Sequence, residues 1–260
     1  LHPFPPRRSS DLSEEVIALE LELARRFDTG LHIHFATSSE EERYCRAKFG
    51  TSAVARVKEL GILEFPILAA HAITVPEDDY ATLSESPFTA VICASSSMRS
   101  GFPAAPVKAM RDGGINLAIG TDNVANANSY DLFREMDIAA KLQVYRESKP
   151  GVIPAKDILE MATLGGARAL GWEDKIGSLA PGKLADLIAL DLTDIGWGPV
   201  GAQDLYTAIV YAISGMHVTD VMVDGKWLLQ EKQWTTLDYS SAASQMNEDY
   251  LRLNQNLAKL

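Results

Sequence analysis

An α/β fold built on a parallel sheet is what this sequence predicts, and three observations predict it. Through the first two thirds of the 260 residues, short apolar runs of strand length alternate with helix-length amphipathic stretches. Repeated strand–helix units of that kind build parallel sheets with crossover helices. Three of the runs, IHFAT, ILAAHA and LAIGTD, carry His34, His71 and Asp122 at their ends. Metal-competent or acid/base side chains at the carboxyl ends of successive parallel strands converge on one mouth of a β/α barrel, where such folds keep their chemistry.

The elements follow in order. Over residues 13–27 two apolar rows recur at helical spacing, Ile17, Leu21 and Ala24 beside Val16, Leu19 and Leu23, and Gly30 punctuates the end. A strand is expected at residues 31–35. Thr37-Ser38-Ser39-Glu40 then reads as a capping box, with Thr37 the cap and Glu40 reaching back, ahead of a helix over residues 41–49. The alternation continues with a helix at 52–60, a strand at 67–70, a helix at 78–84, a strand at 89–93, a helix at 105–112 and a strand at 115–120. Residues 130–145 read as a long helix, and Pro154 opens another that stops at Gly171. Beyond that point the texture changes. Residues 176–183 are turn-rich, the runs at 185–190 and 218–223 suggest strands, and Asp224-Gly225 is a tight hairpin signal. Residues 241–257 read as an amphipathic closing helix.

Four strand–helix units cannot close an eight-stranded barrel. The expectation is therefore the second half of a TIM-type (β/α)8 metallohydrolase barrel over residues 13–172, followed over residues 173–260 by part of a small C-terminal β-sandwich layer and the closing helix. Such a half-barrel leaves open sheet edges and is prone to aggregate. Residues 1–12 read as a non-native leader, because Arg7-Arg8-Ser9-Ser10-Asp11-Leu12 is the in-frame translation of the end of a common sequencing adapter. The alternative is an ordinary proline-rich tail.

Bulk composition excludes several functions. With 24 basic against 35 acidic residues, a net charge of -11 and no Lys/Arg stripe, the chain is unsuited to neutralising phosphates, so no nucleic acid partner is expected. Cys45 and Cys93 are far apart and form no paired framework, which suits reduced thiols in the cytoplasm. No apolar stretch approaches membrane-spanning length, so no membrane partner is expected either.

The blocks LHIHFATSSEE, ILAAHAITVPEDD, LAIGTDNVANANSYDLFREM, ATLGGARALGWEDKIGSLAPGKLADLIALDL and VMVDGKWLL, in this order and spacing, resemble the second half of an amidohydrolase-superfamily enzyme. The resemblance is to the branch containing methylthioadenosine/S-adenosylhomocysteine deaminases and triazine chlorohydrolases, and it covers nearly everything from Ser13 onward. It implies a single divalent metal, zinc expected and iron the alternative, held by an H-x-H pair of the first strand, a histidine of the fifth and an aspartate of the eighth. His34 matches the fifth-strand ligand and Asp122 the eighth-strand aspartate, which also accepts a proton from the attacking water. His71 matches the sixth-strand histidine that polarises the substrate. The first-strand pair has no counterpart. The implied activity is hydrolytic deamination of an aminated nitrogen heterocycle, a small-molecule substrate of adenosine type, with a homodimer as the assembly common among relatives. With two ligands missing, this chain alone is expected to be inactive and to bind metal weakly.

Departures from that pattern matter. The branch usually places a glutamate three residues after the fifth-strand histidine as a proton shuttle; here the position is Thr37. A hydroxyl does not replace a carboxylate in that role. The seventh-strand signature has become Ile92-Cys93-Ala94-Ser95-Ser96-Ser97, with Arg99 where lysine is common. A chlorohydrolase or other cyclic-amide hydrolase tolerates Thr37, and a non-catalytic paralogue is the reading from another class. His32 reads as a barrel filler or a partner to the ligands, His217 as structural or exposed, Cys93 as a small core residue, and Gly165-Gly166 as a close helix contact rather than a phosphate loop. Met98 and Trp197 have substrate contact and packing as alternatives, and the sequence alone does not lift the first above the second.

Overall fold

Several helices in this chain start at a side chain that accepts an otherwise orphaned amide proton. The computed structural model describes residues 13–193 and 204–257; the leader and Trp197 lie outside them. Ser13 accepts from the Val16 amide and opens α1 (Glu14–Phe27), whose buried row is Ile17, Leu21 and Ala24. Its second apolar row, Val16, Leu19 and Leu23, stays exposed. The strand β1 (Leu31–Phe35) follows.

The expected capping box does not form. Helix α2 (Ser39–Phe49) starts later than the box requires, with Ser38 at the cap and no side-chain cap bond. Thr37 is instead buried at the strand end, and Glu40 pairs with Arg43 at 3.8 Å. Ser52 caps α3 (Ala53–Glu59), β2 (Ile67–His71) comes next, and a short 3-10 turn leads into α4 (Tyr80–Ser84). Then follow β3 (Phe88–Ile92), α5 (Ala94–Arg99), α6 (Val107–Asp112), β4 (Asn116–Ile119) and α7 (Val124–Ala127). Asp131 caps the long α8 (Leu132–Glu147). The helix opened by Pro154 is one rod with a π turn inside it: α9 (Ala155–Glu160), the turn Met161–Gly165, and α10 (Gly166–Ala169).

The first four strands form one parallel sheet in sequential order, β1-β2-β3-β4, with His34 opposite Ala70 and Phe35 opposite His71. Helices α1 to α4, α6, α8 and α9 share a single core with it, in which Ala69, Leu83, Ala90, Val107, Met110 and Ile158 are sealed from solvent. Gly165 explains how closely the last rod lies on the sheet. A Cβ there would sit 2.1 Å from the Leu117 carbonyl oxygen. The Asn116 side chain fastens the same point, donating to the Gly165 carbonyl (3.1 Å) and to Thr89 Oγ1 (2.9 Å).

The remaining strands, β5 (Leu187–Leu190), β6 (Val218–Val223), β7 (Lys226–Gln230) and β8 (Gln233–Trp234), form a single antiparallel sheet in that order. Val223 pairs with Lys226 across a two-residue turn in which Asp224 and Gly225 both adopt left-handed conformations, as a type I′ hairpin requires. Between β5 and β6 lies α11 (Leu205–Tyr211), which the sequence reading did not foresee; it packs on α8 and α9 through Ala208 and Val210. Asp131 also joins the two regions, accepting from the Gly215 amide at 2.9 Å. The closing helix α12 (Tyr239–Leu257) forms and buries none of its side chains. Among the described residues no helix is long and apolar enough to cross a membrane.

Candidate functional site

The carboxyl edge of the parallel sheet concentrates backbone strain. Ala36, His71, Ala72 and Asp122 all have positive φ, at +50°, +81°, +46° and +59°. Each left-handed non-glycine residue costs on the order of 1–3 kcal/mol and persists only where its surroundings over-determine it. Around Ala36, His71 and Ala72 the surroundings are a shared hydrogen-bond system: the amides of Ala72 and Ile73 donate to the carbonyls of Phe35 and Ala36, and Thr74 adds both its amide and its hydroxyl to Ala36. The ends of β1 and β2 are thereby locked together, and their histidines with them.

His34 and His71 stack, with ring centroids 5.3 Å apart and planes inclined by 20°. His71 is buried, and its Nδ1 has no hydrogen-bond partner among the described residues. Burial pushes its pKa below the ordinary 6.5; the Asp122 charge opposes that shift and His34 reinforces it. The Asp122 carboxyl responds to burial, which raises its pKa, but four groups acting the other way hold it below the usual carboxylate range. Ser96 Oγ donates to Oδ2 at 2.5 Å, the Asn123 amide to Oδ1 at 2.6 Å and Asn126 Nδ2 to Oδ2 at 3.3 Å, and His71 attracts the charge. His71 therefore contacts one of the other two groups and senses the charge of the second.

The other residues of interest fall elsewhere. His32 is exposed, on the same face of β1 as His34. His217 closes a capping box with Ser214. Cys93 is buried, and burial pushes its thiol up to about 12, so it is inert as a nucleophile at neutral pH. Met98 is exposed, and Arg99 donates to Asn128 Oδ1 at 2.6 Å. Behind His71 lies a cavity of about 10 Å³, bounded by Cys93, Ser97 and Gln143 among others, which is room for one water at most.

Sequence reasoning missed Ser96, Asn126 and Glu135. Residues 94–99 form a helix rather than continuing a strand, and this turns Ser96 toward Asp122. Glu135 had a legible signal. It occupies the buried row of α8 with Met136, Ala139, Ala140 and Gln143, where a carboxylate is out of place.

A parallel α/β sheet with polar groups gathered at its carboxyl edge has the arrangement in which α/β enzymes place their sites. The Amidohydrolase family model matches residues 6–228, and the chain belongs to that family. It is 37% identical over 243 residues to a 5-methylthioadenosine/S-adenosylhomocysteine deaminase of Moorella thermoacetica, and 36% identical over 249 residues to one of Desulfovibrio desulfuricans. These alignments take in 94% of this chain but 56% and 55% of the relatives, so the chain spans about half the length of the curated relatives it matches. Among solved structures, an adenosine deaminase from Xanthomonas campestris with bound zinc superposes with a TM-score of 0.88 at 29% identity, covering 94% of this chain and 55% of that one. An atrazine chlorohydrolase from Arthrobacter aurescens complexed with zinc shares the fold, with a TM-score of 0.82 at 21% identity over 91% of this chain and 52% of that one.

Neighbours of this fold have thus been crystallised with zinc. The residues present fit such an ion in kind: imidazole and carboxylate are the donors zinc takes, and a carboxyl held ionised by its neighbours suits a cation. They fall short in number. Among the described residues no group of three or more His, Cys, Asp or Glu side chains is arranged to hold a metal ion.

Proposed function

We propose that this chain is the carboxyl-terminal part of a metal-dependent amidohydrolase that deaminates an aminated nitrogen heterocycle. The observation that carries the reading is the stacked His34–His71 pair with the Asp122 carboxylate coupled to it at the strained carboxyl edge. His34 and Asp122 would hold one divalent ion, with further donors supplied by the half of the relatives' length that this chain does not span. The four parallel strands would then be the second half of a barrel. Among the described residues β1 and β4 pair with no further strand on their outer sides, and this and the exposed apolar row of α1 support that reading. The antiparallel sheet would be part of a β-sandwich layer, and the 260 residues alone would be inactive.

Zinc, when bound, acts as a Lewis acid and brings the pKa of water down to roughly 7. Asp122 stays ionised at neutral pH and can take a proton from the attacking water on a carboxylate oxygen. Because burial keeps His71 neutral, its ring N–H can donate to the group on which negative charge develops as a ring carbon becomes tetrahedral. The amino group then leaves as ammonia after gaining a proton.

Thr37 favours a second reading. Its hydroxyl is buried and unpartnered where a proton-shuttling glutamate is usual, so a hydrolase that needs no ring protonation, such as a chlorohydrolase, fits the same site. Assays of the full-length protein on aminated purines, pterins and chlorinated triazines separate the two. Ammonia release is the expected result; chloride release supports the second reading, and no ammonia from any substrate overturns deamination.

A further inference from the structure

Granting the reading of Asp122 as the metal-holding carboxylate, we infer that Glu135 and Ser96 form a brace that fixes this carboxylate before any ligand arrives. Glu135 is completely sealed from solvent, yet among the described residues its Oε2 accepts one hydrogen bond, from the Ser95 amide at 3.0 Å, while Oε1 has no partner. A buried carboxylate with so little compensation is costly, and an apolar residue of similar size would serve packing better. What the carboxylate does is hold the start of α5. The next residue, Ser96, is itself buried and directs Oγ at Asp122 Oδ2, while Ser97 ties the same turn down by donating to the Cys93 carbonyl at 3.1 Å.

The consequence falls on Asp122. Its Oδ1 is taken by the backbone and side chain of Asn123 and its Oδ2 by Ser96 and Asn126, so the plane of the carboxylate is set from both sides. Only the Ser96 bond comes from a different strand–helix unit; the Asn donors are chain neighbours and move with Asp122. Ser96 therefore references the carboxylate to the sheet, and Glu135 references Ser96 to α8. Outer partners of this kind pre-organise a ligand without touching substrate, which makes both of them positioning residues.

The test uses Ser96→Ala, Ser96→Thr, Glu135→Leu and Glu135→Gln in the full-length protein. Zinc affinity should fall about 10- to 100-fold in Ser96→Ala and Glu135→Leu, the scale typical of lost outer-shell partners, with kcat following and KM little changed. Ser96→Thr, which keeps the hydroxyl, and Glu135→Gln, which keeps an acceptor for the Ser95 amide, should restore most of the affinity. In parallel, hydrogen exchange on the 260-residue chain should show the Ser95 amide protected, and exposed in Glu135→Leu while the amides of β3 stay protected. Folded Ser96→Ala with unchanged zinc affinity, or a Ser95 amide that exchanges freely in the unsubstituted chain, overturns the brace. A full-length protein that takes up no zinc at all overturns the metal reading instead, and the exchange arm still decides whether Glu135 holds the turn.

Discussion

The two sheets of this molecule put similar numbers of residues to different uses. The parallel sheet is covered by helices, and its strands β2 and β3 are almost wholly buried. His34, His71 and Asp122 lie toward its carboxyl edge, where four non-glycine residues are held in left-handed conformations. The antiparallel sheet has half-exposed strands. Its left-handed residues Asp224, Gly225, Glu231 and Lys232 lie in surface hairpin turns, where such conformations are ordinary. In the first sheet positive φ thus falls on the buried Ala36, His71 and Ala72 and on the Asp122 carboxylate, whereas in the second it marks only exposed turns.

The sharpest way to break this contrast is at the contact that fixes the sheet's register against its last helix. Gly165→Val should destabilise the chain by about 3 kcal/mol, since a side chain there meets the Leu117 carbonyl and the backbone must shift; urea denaturation reads this directly. Next comes the buried imidazole. The folded state holds the pKa of His71 below 6.5, so protonation favours the unfolded chain. His71 thus contributes a stability that is complete above 6.5 and is lost as pH falls from there through the depressed folded value. His71→Asn should flatten that part of the pH profile of the denaturation midpoint. In the antiparallel sheet, Gly225→Ala should cost only about 1 kcal/mol for a left-handed alanine, and exchange at the parallel sheet's edge should not change. The smallest effect is expected at Gly166, where a Cβ meets nothing: Gly166→Ala should stabilise by about 0.5 kcal/mol, and thermal denaturation checks its sign.

Much of the parallel sheet was legible because burial on both faces writes strands as continuous apolar runs. The strand at residues 31–35 and the Asp224-Gly225 hairpin formed as read. Close packing read at Gly165-Gly166 holds for Gly165, where only glycine admits a backbone at that distance, and not for Gly166, where a Cβ meets nothing. The errors have physical causes. Thr37 looked like a helix cap, but the locked ends of β1 and β2 hold it in the interior and leave the cap position to Ser38. The serine run at 95–97 lacks apolar periodicity, so nothing local announced helix α5 or the bond from Ser96 to Asp122, which spans 26 residues. Residues 205–211 needed tertiary partners in α8 and α9 to reveal their helix.

The central claim is that His34 and Asp122 belong to one metal-holding mouth with His71 beside it. The most direct measurement is the zinc content and affinity of the full-length protein beside those of its His34→Ala and Asp122→Asn variants. One zinc per chain is expected in the unsubstituted protein, with loss of tight binding in both folded variants; retention of stoichiometric, tightly bound zinc by both would contradict the account.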